Sequence, residues 1–143
     1  MKKIQIINGP NLNLLGQREK DLYGFDTFEN VLIKLKHTYP NLEIDYFQSN
    51  VEGEIVETIQ NADGKMDAII LNPGGFTHTS VAIRDAILSI KIPVTEIHIS
   101  NIATREKFRH HSVISDVCNG CITGFGINGY FLALENVLLV DKS

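Results

Sequence analysis

The chain has 143 residues, a formal net charge of -4, and 43% hydrophobic and 21% charged residues, the balance of an ordinary globular protein. That length suits a single domain, taken as 1–143, with a sizeable buried core. No basic run offers a footprint for nucleic acid, and no apolar run approaches the length of a membrane span.

After Met1-Lys-Lys, only Ile4 to Ile7 read as apolar before Asn8-Gly-Pro. This is too short for a signal-peptide core, so a cytoplasmic protein is expected. Lys3 to Ile7 predicts a first strand. The stretch from Asn8 to Gly24 then shows neither helical nor alternating periodicity. It carries Asn8, Asn11, Asn13, Arg18 and Tyr23, with glycines at 9, 16 and 24 as hinges. A strand-to-helix connection of that length is usually functional, so it reads as a binding loop with a movable flap. Asp26-Thr27 opens a helix with Val31, Leu32 and Leu35 on one face, ending before Pro40.

Leu42 to Phe47 predicts strand two. Ser49 or Asn50 can cap a helix over Glu52 to Asn61. Asp67 to Leu71 is a continuous apolar run suited to a strand covered on both faces. A helix from Thr77 or Ser80 to Ile90 uses Val81, Ile83, Ala86, Ile87 and Ile90. Pro93 to Ile99 predicts strand four, and Thr104 to Phe108 a short helical turn. Cys121 to Thr123 gives strand five, and Gly129 to Leu139 the last helix.

Alternating strands and helices imply a five-stranded, doubly wound, flavodoxin-like parallel sheet with helices on both faces. Ligands bind such sheets beyond the carboxyl ends of the strands, near the switch point. Strand one ends into Asn8 to Tyr23, strand three into Asn72 to His78, and strand four into His98 to Asn101. The chemically capable residues therefore converge on one crevice.

Two motifs carry less than they promise. Cys118-Asn-Gly-Cys121 is a C-x-x-C, yet it leads into a late apolar segment, and only His110 and His111 lie near as further ligands. Gly124-Phe-Gly126-Ile-Asn-Gly129 matches a dinucleotide fingerprint, but no following strand brings an acid for the ribose. These glycines are expected to let the last helix pack closely on the sheet.

Asn72-Pro-Gly74-Gly75 forms a strand end and tight turn whose N–H groups can receive an anionic or hydroxylated ligand, with His78 beside it. Glu96 and His98 stand two apart on a strand, so they share a face, and Glu96 can orient or charge the imidazole for acid–base work. Arg105 and Arg109 are spaced to share a face of a helical turn and bind a carboxylate. Tyr23 is a poor base at its ordinary pKa, but a nearby arginine, Arg18 or Arg109, favours the phenolate.

Three ordered blocks make the chain resemble the type II 3-dehydroquinate dehydratase family over essentially its whole length. They are Asn8-Gly-Pro-Asn-Leu-Asn with Gln17-Arg-Glu and Tyr23-Gly; Asn72-Pro-Gly-Gly with Thr77-His-Thr-Ser-Val-Ala-Ile-Arg-Asp85; and Glu96-Ile-His-Ile-Ser-Asn with Arg105-Glu-Lys-Phe-Arg109. The resemblance implies a flavodoxin-like shikimate-pathway lyase that removes water from 3-dehydroquinate, with no metal or cofactor. By the same resemblance Tyr23 is the base, Arg18 its support, His98 the acid, and Asn11 the residue that places a water on the enolate. Asn72, His78, Asp85, Ile99, Ser100 and Arg109 match substrate-binding positions, and family members assemble as dodecamers of trimers. Lys20 and Gly75 depart from the proline and alanine that many relatives carry. The alternative is a non-catalytic flavodoxin-like module holding a nucleotide or flavin.

Overall fold

The computed structural model describes residues 1–16 and 26–140. Five strands, β1 (Lys2–Asn8), β2 (Leu42–Gln48), β3 (Ala68–Asn72), β4 (Val94–His98) and β5 (Gly120–Thr123), form one sheet in the order β2-β1-β3-β4-β5. Every neighbouring pair is parallel. The helices α1 (Phe28–Thr38), α2 (Glu52–Ala62), α3 (Val81–Leu88) and α4 (Asn128–Val140) cover both faces. This is the doubly wound, flavodoxin-like order expected from the alternation of elements.

Alternation along each central strand separates the core into two layers. Ile4, Ile6 and Ile70 pack with Val31 and Leu35 of α1 and with Tyr130, Ala133 and Leu134 of α4. Ile7, Ile69 and Leu71 pack with Ile55 and Ile59 of α2 and with Ile83 and Ile87 of α3. Each such aliphatic side chain stabilises the fold by about 1.5–3 kcal/mol on burial. Gly129 lets α4 settle: a Cβ there would stand 3.0 Å from Ile97 Cδ1. The close packing expected of the late glycines is present at that position.

Local differences from the sequence expectations have identifiable causes. Neither Ser49 nor Asn50 caps α2; the cap residue is Val51, which makes no side-chain cap bond. Ser49 Oγ instead accepts from the Val51 N–H at 2.9 Å and donates to Glu54. Asn50 is engaged elsewhere, accepting from the Asn11 N–H at 2.9 Å. Ser80, accepting from the Ile83 N–H at 2.9 Å, caps α3. Thr77 belongs to a 3-10 turn over Gly74–His78, its hydroxyl donating to the Gly74 carbonyl at 2.7 Å. Val81 is exposed, and α3 stops at Leu88, short of Ile90.

The helical turn expected over Thr104 to Phe108 is two short 3-10 turns, Ile102–Thr104 and Lys107–Arg109. Extended backbone at Arg105 and Glu106 breaks them apart. Arg105 and Arg109 therefore do not share a face through α-helical spacing. Among the described residues, no helix is long and apolar enough to cross a membrane.

Candidate active site

The sheet order reverses between β1 and β3, and there Asn8 and Asn72 stand in register at the carboxyl ends of the two strands. One group from α4 locks both. The buried Tyr130 hydroxyl donates to Asn8 Oδ1 at 2.7 Å and accepts from Asn72 Nδ2 at 3.2 Å. Asn72 Oδ1 in turn accepts from the Gly74 N–H at 3.2 Å, so both ends of this amide are fixed. Burial pushes the Tyr130 phenol well above its ordinary pKa and keeps it a neutral donor.

Tyr130→Phe keeps the ring, which meets Phe28 edge-on with centroids 4.9 Å apart, but leaves Asn8 and Asn72 short of a partner. We expect a loss of about 1–3 kcal/mol in chemical denaturation. A higher KM should accompany it, as the freed Asn72 amide turns. An unchanged stability and KM would remove Tyr130 from the support of this site.

The loops leaving β1 and β3 touch. Gly9 donates its N–H to the Asn72 carbonyl at 2.7 Å, and a Cβ on Gly9 would fall 2.5 Å from the Pro73 carbonyl oxygen. Only glycine fits this crossing. Asn11 follows in the left-handed region at φ 71, which asparagine tolerates better than most residues. The side-chain Oδ1 of Asn50, two residues beyond β2, accepts from its N–H.

Around this junction lies a cavity of about 190 Å³. Asn11, Asn72, Gly74, Gly75, His78, His98, Ile99, Ser100, Arg105 and Arg109 all line it. Pro10, Leu12 and Ile102 line it too and were not singled out from the sequence. His78 Nδ1 lies 2.8 Å from the His111 carbonyl oxygen. A carbonyl only accepts, so Nδ1 carries a proton there.

Despite the broken turn, both arginines reach the cavity wall. Arg109 Nε donates to Glu106 at 3.1 Å, and its guanidinium lies over the Phe108 ring at 5.0 Å. The hydrogen bond from Arg109 holds the Glu106 carboxyl below its usual range. Arg105 Nη1 lies 3.5 Å from Ser100 Oγ. Two guanidiniums on one wall favour an anionic ligand.

The opposite arrangement sits behind His98. Its Nε2 lies 2.5 Å from Oε2 of Glu96, which is wholly buried. The other carboxylate oxygen accepts from Ser115 Oγ at 2.5 Å and from Ser112 Oγ at 3.3 Å. Burial pushes the Glu96 carboxyl up, but the hydrogen bonds from His98, Ser115 and Ser112 outweigh it and hold the pKa below the ordinary value. Glu96 is thus an anion, His98 Nε2 carries a proton toward it, and Nδ1 is left without a partner among the described residues. This is the geometry of an imidazole oriented for proton transfer. Ser112 and Ser115 escaped the sequence reading; they lie in a segment with no strand or helix periodicity.

Residues 2–138 match the family model described as Dehydroquinase class II. The chain belongs to the class II dehydroquinase family. It is 55% identical over 137 residues to the 3-dehydroquinate dehydratase of Caldicellulosiruptor bescii, covering 94% of each chain. It is 56% identical over 140 residues to that of Bacillus cytotoxicus, covering 96% of each. The catabolic 3-dehydroquinase of Aspergillus clavatus is 51% identical over 143 residues, with 99% of this chain and 95% of that one covered. Among solved structures, the type II dehydroquinase of Butyrivibrio crossotus superposes with a TM-score of 0.91 at 47% identity, over 94% of this chain and 95% of that one.

Of the positions that the dehydroquinase resemblance singles out, Tyr23 and Arg18 lie outside the described residues. Asp85 is exposed on α3 and is not part of the cavity wall, so a single chain does not bring it to the site. Glu96 is one step removed, touching His98 rather than the cavity. Cys118 and Cys121 are free thiols; burial pushes Cys118 up to about 12, and partial desolvation together with the Glu96 carboxylate raises the exposed Cys121 to about 11, which leaves little thiolate for redox chemistry.

Proposed function

We propose that this chain is a 3-dehydroquinate dehydratase, a hydro-lyase converting 3-dehydroquinate to 3-dehydroshikimate and water. The observation that carries the reading is His98, held through Nε2 by an ionised, buried Glu96 at the wall of a cavity that also holds two arginines. Tyr23, made a phenolate by a neighbouring arginine such as Arg18, removes the C2 proton. Asn11 places a water that steadies the resulting enolate. The imidazolium of His98 then gives its proton to the departing C1 hydroxyl, and the Glu96 carboxylate stabilises that cation before transfer.

Arg109, with Ile99 and Ser100, takes the substrate carboxylate, while Asn72 and His78 hold hydroxyls. Asp85, exposed on α3, joins the site from a second copy in a homododecamer built of trimers. The protein acts in the cytoplasm on the shikimate pathway. A non-catalytic nucleotide- or flavin-binding role has no observation in its favour. Incubation with 3-dehydroquinate tests the proposal directly, through the ultraviolet absorbance of the conjugated enone product. No rise above the buffer control would sink it.

Arg109→Ala is expected to weaken binding more than turnover. A charge-assisted hydrogen bond is worth about 1.5–3 kcal/mol, so KM should rise roughly tenfold or more. Arg109→Lys should recover little, because an ammonium cannot make the paired contact. A steady-state KM equal to that of the unsubstituted protein would free Arg109 from this role.

A further inference from the structure

Glu96 and His98 have a third neighbour that the dehydratase chemistry does not use. In the parallel pairing of β4 with β5, Cys121 stands opposite Glu96. One ligand atom from each of Glu96, His98 and Cys121 lies within 4.8 Å of the other two. We propose that these three side chains form a zinc-binding site, and that zinc there silences His98 as an acid. The silencing, though not the binding, rests on the dehydratase reading above.

The donor set selects the ion. An imidazole nitrogen, a thiolate sulfur and a carboxylate oxygen together suit zinc, whereas magnesium and calcium take oxygen alone. Zinc bonds of about 2.0–2.3 Å in tetrahedral geometry put ligand atoms roughly 3.3–3.6 Å apart. The three atoms lie within 4.8 Å of one another, and the 2.5 Å pair of His98 and Glu96 need open only by about 0.8 Å to admit the ion. Water completes the fourth position.

Access and support are both present. Cys121 is exposed on β5, at the edge of the sheet, so the ion enters from solvent on that side. Ser112 and Ser115 hold the far carboxylate oxygen and fix the ligand's orientation, as outer hydrogen-bond partners do in metal sites. On binding, the thiol proton goes to solvent and the sulfur bonds the metal. The neutral imidazole changes tautomer: its one proton moves from Nε2 to Nδ1, and the freed Nε2 lone pair bonds zinc. That proton then sits on a ring that already donates its other nitrogen to a dication, and Glu96 no longer stabilises an imidazolium.

Metal-free protein should take up one zinc ion per chain in competition with a chromophoric chelator. Cobalt in its place should show a thiolate-to-metal absorption band. Cys121→Ser should abolish that band and weaken zinc by at least the roughly 10–100-fold that loss of an outer partner costs, while dehydration without metal stays normal. Cys118→Ser should bind as the unsubstituted protein does; equal loss in both variants would mean that the C-x-x-C pair alone holds the ion and would overturn the assignment. So would unchanged zinc affinity in Cys121→Ser. Zinc should inhibit dehydration and a chelator restore it, and stoichiometric binding without inhibition would overturn the silencing. A metal-free chain with no activity at all would instead sink the dehydratase reading, and the cobalt band would still decide the site.

Discussion

His98→Ala is expected to lose dehydration by roughly 10²–10⁴-fold, the usual weight of a positioned acid, while C2 of unreacted 3-dehydroquinate continues to exchange with deuterated solvent. Exchange needs only the base and a stabilised enolate, and alanine at 98 touches neither. Tyr23→Phe should differ: if Tyr23 takes the C2 proton, both dehydration and exchange fail. Mass spectrometry of recovered substrate reads the difference between the two variants. Brisk exchange in a folded Tyr23→Phe protein, above the rate in buffer, would show that another residue takes the proton.

Glu96→Gln should be nearly as damaging although Glu96 meets no substrate. The amide keeps the shape and can still accept from His98, but it cannot stabilise the imidazolium. In the serine-protease triad, the equivalent carboxylate-to-amide change costs about 10⁴ in kcat, and a loss of roughly 10²–10⁴ is expected here with KM little changed. Exchange at C2 should persist, as in His98→Ala. A kcat within a few-fold of normal would show that the carboxylate serves the fold rather than the acid.

The same substitution has a signature in acid. The Glu96 carboxyl has a folded pKa below its ordinary value of 4.5. A depressed pKa means that the ionised form stabilises the fold above the unfolded value, and that this contribution is lost as pH falls through the folded one. Urea midpoints should therefore fall less steeply below about pH 4.5 in Glu96→Gln than in the unsubstituted protein. Parallel curves would assign acid unfolding to other carboxyls.

The strands and helices were legible because β1 and β3 are short apolar runs, as strands covered on both faces are, while the buried residues of α4 fall at helical spacing. The crevice followed from the rule for open parallel sheets, which places Asn72, His98 and Ser100 together without any side-chain detail. What stayed hidden depends on tertiary register. Tyr130 reads as one more core aromatic until its hydroxyl is found between Asn8 and Asn72. Ser112 and Ser115 sit in a connection with no pattern, and nothing local marks them as partners of Glu96. Cys121 looked paired with Cys118 by spacing, whereas strand pairing brings it to Glu96. The turn at Arg105 misled because i, i+4 spacing presumes an α-helix, and two 3-10 turns do not supply one.

The Tyr130 hydroxyl also sets a timetable. Its bond to Asn8 joins residues 122 positions apart, and the strands it braces are made long before it. On the ribosome, β1 and β3 can pair and the glycine crossing can close while Asn8 and Asn72 still lack their common partner. Such long-range closure comes late and slowly in folding, because its loop entropy is met before any contact rewards it. The nascent chain thus carries a cavity wall whose two amides lack their shared hydroxyl until α4 emerges and docks. Completion of the cavity wall in this fold waits on the docking of α4.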